Sequence, residues 1–203
     1  MKKILLIGLL LAAVFTVYFF VSDKKNIISS SESEIDKRME YQVAQIKEFL
    51  RNNSKYNKKV AFLIDMKVPS GKNRFFVYDL KENKIIDKGL VAHGSGSETG
   101  IKGKLKFSNV PNSLSTSLGK YYIGNHYNGK FGKAYKLYGL DATNSNAFKR
   151  DIVFHYYYDV PYKEKDGYIC NSYGCPMVNK KYFQRMAEII DSSESDILLN
   201  IYY

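Results

Sequence analysis

The chain has 203 residues, 45% of them hydrophobic, and 31 Lys and Arg against 20 Asp and Glu give a formal net charge of +11. That length holds one domain of ordinary size plus extensions. The positive charge is spread along the chain, is mostly lysine, and comes with no arginine-rich helix, finger spacing or RNA-binding strand motif. Nucleic acid is therefore not expected as a partner, and attraction to another anionic surface or polymer is. Two cysteines are too few for a disulfide scaffold, and His93, His126 and His155 are scattered without zinc-ligand spacing, so neither metal nor cofactor is expected. The 18 Tyr and 12 Phe, with no Trp, favour strands over a helical bundle.

Met1-Lys2-Lys3 precedes an uncharged, mostly apolar run from Ile4 to Val21, which ends at Ser22-Asp23-Lys24-Lys25. A signal-peptide core is about 7–15 residues and a spanning helix about 17–25. The run falls at the short end of the second range, and no small-x-small cleavage site follows Tyr18-Phe19-Phe20. Residues 1–22 read as a signal anchor or a signal peptide, the anchor being favoured. The chain is then exported to the cell envelope, with the cytoplasmic membrane as a partner. Lysines on both flanks leave the orientation open.

Residues 23–56 read as a serine-rich tether and an amphipathic helix. Over Glu34 to Asn52, Ile35, Met39, Val43, Ile46 and Leu50 recur at steps of three and four. Residues 57–203 read as one β-rich domain. Val60 to Met66 is a short apolar element, Arg74 to Leu80 and Ile85 to Ala92 form a hairpin, and His93-Gly94-Ser95-Gly96-Ser97 is a glycine-marked loop. Tyr121 to Asn125 and Ala134 to Leu140 are strands on either side of a turn at Tyr127 to Gly132. A strong strand follows over Ile152 to Tyr158, and Pro161 closes it. After Cys175-Pro176 comes a helix over Asn179 to Asp191, with Asn179 as its cap, and then a last strand over Ile197 to Tyr202.

The chemistry gathers at Cys170-Asn171-Ser172-Tyr173-Gly174-Cys175-Pro176, read with His155 on the upstream strand. A thiolate attacks carbonyl carbon well, and a neighbouring histidine can take the thiol proton and return it to a leaving amine. The backbone amides of Gly174 and Cys175 can receive a developing oxyanion, since glycine leaves that face open. Ser172 can hydrogen-bond within the turn and shape it. The residues alone leave other readings open. Cys175 can be a buried core thiol, His155 a satisfied strand histidine, and Cys170 a disulfide partner that would consume the nucleophile.

These residues resemble the L,D-transpeptidase catalytic domains, which pair a strand histidine with a later Ser-x-Gly-Cys. The two parts here are Ile152-Val153-Phe154-His155 and Ser172-Tyr173-Gly174-Cys175. Pro176 after the cysteine is similar to the murein L,D-transpeptidase catalytic-domain-like branch. So are Ala92-His93-Gly94-Ser95-Gly96-Ser97, Phe107 to Ser113, Gly129-Lys130-Phe131-Gly132, Leu137 to Asp141, and Arg150. The resemblance covers roughly residues 73 to 203. It implies a mainly β fold, an L,D-transpeptidase-like sandwich or cradle with short helices, holding peptidoglycan stem peptides. It makes Cys175 the nucleophile, His155 the base and acid, and the backbone carbonyl of Tyr156 the group that orients the ring. Asn171, Ser172, Tyr173, His93 and Gly94 become substrate-binding or site-shaping residues. The implied reaction is acyl transfer through a Cys175 thioester. The alternatives are an L,D-carboxypeptidase or stem-peptide hydrolase on the same site, and a non-catalytic wall-binding module. Two departures bear on substrate choice: Tyr156 stands where the family has a small residue, and Asn171 where it has arginine.

Overall fold

A computed structural model describes residues 32–203. The apolar run of residues 4–21 and most of the tether lie outside them. Among the described residues no helix is long and apolar enough to cross a membrane. The chain divides into Met1–Tyr41 and Gln42–Tyr203. Helix α1 covers residues 32–51 and runs across that division. Within the second unit Val43, Ile46 and Leu50 of α1 are buried. There the Gln42 side chain accepts a hydrogen bond from Asn200 Nδ2 at 2.8 Å, and the ring of Phe49 stacks on that of Tyr56.

The apolar run Ala61-Phe62-Leu63-Ile64 is fully buried, as expected of a strand covered on both faces. It belongs to β1 (Tyr56–Asp65). Next come β2 (Phe75–Asp79), β3 (Lys84–Gly89), β4 (Val91–Ala92), β5 (Gly119–Gly129) and β6 (Gly132–Gly139). After them follow β7 (Val153–Tyr156), β8 (Met177–Val178), helix α2 (Lys180–Asp191) and β9 (Asp196–Tyr202). Among the described residues these strands make one nine-stranded sheet, in the order β3-β2-β1-β9-β5-β6-β7-β8-β4. The expected mainly β fold, a sandwich or cradle with short helices, takes the form of this one sheet. Its pairings are antiparallel except β1 with β9 and β7 with β8.

The expected hairpin is present as β2 and β3, but its second arm breaks. Leu90 alone separates β3, at one end of the strand order, from β4 at the other. The two ends of the sheet therefore lie next to each other. Arg74, 1% exposed, spans this seam. Its backbone N–H donates to the Gly89 carbonyl at 3.1 Å, and its Nε and Nη2 donate to the Val91 carbonyl at 2.9 and 2.7 Å. The strong strand expected over residues 152–158 is only four residues long. Tyr157 and Val160 are tied instead by a turn bond of 3.1 Å.

The core joins the sheet to α2 through aromatic rings. Phe75 makes edge contacts with Phe62, Phe154 and Tyr182, with centroids 5.4–5.5 Å apart. Asn179 caps α2, accepting from Lys181 N at 2.9 Å, and its Nδ2 donates to the Val160 carbonyl at 2.7 Å. One side chain thus fixes both the helix start and the turn after β7. Asn179→Ala should cost about 1–2 kcal/mol of stability, read as a lower denaturant midpoint at unchanged slope. A midpoint equal to that of the parent would show that neither bond matters.

Candidate active site

The parallel pairing of β7 with β8 brings the turn that ends in Cys175 alongside the strand that carries His155. His155 sits opposite Met177, so the same register carried back two residues puts Cys175 beside Val153. Residues two apart on a strand share a face, and Val153 and His155 therefore point the same way. The Val153 N–H donates to Cys175 Sγ at 3.4 Å. Both Cys175 and His155 line one open groove of about 470 Å³, with Asn171, Ser172, Tyr173, Tyr127, Phe131 and Tyr157 around them.

The tautomer of His155 follows from one contact. Its Nδ1 lies 3.1 Å from the Tyr156 carbonyl oxygen. A carbonyl only accepts, so in the neutral ring Nδ1 carries the hydrogen and Nε2 is the basic nitrogen. Phe131, from the two-residue turn between β5 and β6, lies flat on the imidazole at 5.6 Å and 19°. The Tyr156 ring takes no part in the groove wall. It packs on Phe183 of α2 and under the Lys180 ammonium, because the next residue along a strand faces the other side. Tyr157 supplies the wall, with its ring edge-on to Phe131.

The turn before the cysteine is held from several sides. Gly174 has φ +117°, and a Cβ there would come within 2.9 Å of the Ser115 carbonyl. Its amide donates to Ser172 Oγ at 3.0 Å. The amides of Gly174 and Cys175 are the expected oxyanion donors of this turn. The Gly174 amide is engaged, and the Cys175 amide has no acceptor among the described residues. Arg150 reaches across to the Ser108 and Ser115 carbonyls at 2.8 and 2.6 Å and to Ser113 and Ser117, which clamps the serine-rich loop against the turn. Asp151, with φ +54°, turns its carbonyl to the sulfur, and Sγ–H donates to it at 3.6 Å.

His93 is elsewhere. Its ring is 2% exposed, and its two nitrogens meet Arg74 Nη2 at 2.8 Å and Glu98 Oε1 at 2.7 Å, in a second cavity. It reaches the turn through its backbone, whose carbonyl accepts from Ser172 N at 2.8 Å. Gly94 does abut the turn: a Cβ there would lie 2.9 Å from Gly174. Asn171 and Tyr173 line the groove and are exposed. Both cysteines are free. Cys170 packs with Leu90, Ala92, Val160, Ile169 and Met177, and Cys175 against the main core.

Burial raises the Cys175 thiol above its ordinary value, opposed by the Val153 N–H and Arg150 and reinforced by Asp151. Burial lowers His155, opposed by the bond to Tyr156. Both shifts favour neutral thiol beside neutral imidazole over a resting ion pair.

No curated protein matches the chain. A family model does: the L,D-transpeptidase catalytic domain, over residues 31–202. The chain belongs to this family. Among solved structures it is similar to the helical cell shape determining protein Pgp2 from Campylobacter jejuni, at 12% identity and TM-score 0.46, over 70% of this chain and 46% of that one. It is similar to the L,D-transpeptidase from Xylanimonas cellulosilytica at 14% identity and TM-score 0.39, over 72% of this chain and 61% of that one. Bd1075 from Bdellovibrio bacteriovorus gives 15%, 0.42, 70% and 48%. The chain thus spans less than two thirds of each of these proteins.

Two outcomes test the site of this L,D-transpeptidase domain. In a Cys170→Ser background, alkylation of Cys175 by iodoacetamide should climb about tenfold per pH unit from neutrality upward, because thiolate forms only as pH approaches a raised pKa. A rate already flat at pH 6–7 would reveal a preformed ion pair. Gly174→Ala should slow that alkylation and lower Tm, since the left-handed conformation costs a side chain about 1–2 kcal/mol before the contact with Ser115 is counted. Unchanged rate and Tm would mean the turn relaxes freely.

Proposed function

We propose that the domain carries out cysteine-dependent acyl transfer on peptidoglycan stem peptides. The single observation behind this is the shared groove of Cys175 and His155, with the imidazole held by the Tyr156 carbonyl so that Nε2 is free to take a proton. Family membership supports the substrate class. In this reading Cys175 Sγ attacks the carbonyl carbon of the amide between an L- and a D-centre. Its proton passes to His155 Nε2. The amide C–N bond breaks, His155 returns the proton to the departing D-amino acid, and the acyl group stays on sulfur as a thioester. The amine of a second stem attacks that carbonyl, His155 takes its proton, and the thiol is restored. Water in place of the amine gives the carboxypeptidase outcome.

The Cys175 amide receives the oxyanion in both steps, while Ser172, by holding the Gly174 amide, fixes the turn that presents it. Gly94 and the His93 carbonyl shape the same turn from behind. Asn171 and Tyr173 stand at the rim where the acceptor stem enters. The N-terminal apolar run of residues 4–21, as a signal anchor, keeps the domain in the envelope facing its substrate.

The raised thiol pKa and the Sγ–H bond to Asp151 are the observations that favour a non-catalytic, wall-binding module instead. One experiment decides between them. A carbapenem should acylate the reduced full chain once, at Cys175, as read by intact mass and peptide mapping. His155→Gln should slow adduct formation by about 10²–10⁴, and Cys175→Ala should abolish it. Absence of any adduct on the folded parent, or one on Cys170 alone, sinks the enzymatic reading. Stem-peptide products with and without an added amine then separate transfer from hydrolysis.

A further inference from the structure

The second cavity, of about 280 Å³, lies apart from the Cys175 groove and shares no lining residue with it. Among its buried lining residues are Arg74 and His93, 1% and 2% exposed, and its rim carries Lys67, Lys72, Lys102 and Lys104. Glu98 is the carboxylate that lines it, with Oε1 taken up by His93 Nε2 at 2.7 Å. Since guanidinium only donates, His93 Nδ1 accepts from Arg74 and Nε2 carries the hydrogen. The ring is therefore neutral, in keeping with the downward shift that burial and Arg74 impose on it. Arg74 is lowered to about 9 by burial and remains a cation at neutral pH. Asp65 and Glu98 oppose that shift through their charge.

The rim is less well balanced. Lys72 lies 3.4 Å from Asp166 and 3.9 Å from Glu164, and Lys67 sits 4.2 Å above the Tyr203 ring. Lys102 and Lys104 have no ion-pair partner among the described residues. Their loop is nevertheless shaped. Gly100 and Gly103 both have φ +75°, Thr99 Oγ1 donates to the Lys104 carbonyl at 2.8 Å, and Tyr203 Oη donates to the Gly103 carbonyl at 3.2 Å. Two unpaired ammonium groups are thus carried by a hydrogen-bonded turn at the mouth of a concave site.

The remaining donors select the ligand chemistry. A carboxylate is best gripped by a free guanidinium fork. The fork of Arg74 is occupied by the Val91 and Val68 carbonyls and by His93. What faces an incoming group is lysine: point charges on flexible stems, which suit a multiply charged tetrahedral oxyanion. We propose that this cavity is a second binding site, one that takes a phosphate-bearing group between Lys102, Lys104 and Lys72 above the Arg74–His93 floor. It stands independently of the reaction assigned to Cys175.

Calorimetric titration of the full chain in an uncharged detergent, with glycerol 3-phosphate and with inorganic phosphate, tests it. One saturable site is expected. Lys102→Ala with Lys104→Ala should weaken binding by about tenfold or more, as loss of charge-assisted contacts does. Lys88→Ala with Lys149→Ala, which removes the same charge from exposed positions elsewhere, should change it less than about twofold. Both pairs are solvent-exposed, and circular dichroism checks that the fold is kept. Cys175→Ala should bind as the parent does, so failure of the acyl-transfer reading leaves this result standing. Vesicles with and without phosphatidylglycerol tell a lipid headgroup from a soluble or polymeric phosphate, and a Lys102/Lys104-dependent response to either supports the site. Unsaturable binding, or equal loss in the two double variants, overturns it.

Discussion

Everything at the candidate site depends on a two-residue parallel pairing. β8 is only Met177 and Val178, yet its register against β7 sets where Cys175 stands relative to His155. Parallel strands need a crossover, and here the chain from Tyr157 to Pro176 supplies it as an irregular excursion in place of a helix. Its return is fixed by contacts that lie outside the ladder. Ser172 exchanges bonds with the backbone of His93 and Ser95, Gly94 presses against Gly174, and Asn179 ties the helix start to Val160. The sulfur is therefore positioned by a loop whose conformation is overdetermined, while the imidazole rides on a rigid strand. Loops set on a rigid scaffold are where reactive groups are commonly found.

The electrostatics follow from the same packing. Both partners are buried enough that charge is disfavoured on each, and the nearest full charges do little to reverse it. Arg150 lowers the thiol, but its guanidinium is committed to the serine-rich loop. Asp151 acts the other way. The Val153 N–H directed at the sulfur favours the thiolate without bringing a full charge to it.

Much of this was legible in the residues. The α2 stripe with its Asn179 cap follows from periodicity, and the β2–β3 hairpin and the strand carrying His155 from apolar runs bounded by turn residues, whereas the apolar run of β1 has no period and suits a strand or a buried helical turn equally. The Cys175–His155 association came from motif resemblance, because no local pattern tells which distant strand a turn will join. The same limit hid β8: two residues after a proline carry no period. The break at Leu90 was invisible because Val91 and Ala92 continue the apolar pattern of the arm before them. The motif marks His93 as a substrate-binding or site-shaping residue without telling which way its ring turns. Its ring turned inward because Arg74, a buried cation far away in sequence, needed an acceptor there. Nothing in the spacing of Arg74, His93 and Glu98 announces that chain of contacts.

The seam at Leu90 has a consequence for association. A sheet normally ends in strands whose outer N–H and C=O groups invite another chain. Here the first and last strands of the order are joined through Leu90, and Arg74 holds both sides of that join, its backbone N–H on the Gly89 carbonyl and its guanidinium on the Val91 carbonyl. Of β3 itself only Gly89, at the join, is buried; the rest of the strand is largely exposed, and Lys84 and Lys88 along it are the charges that discourage a tenth strand from adding there.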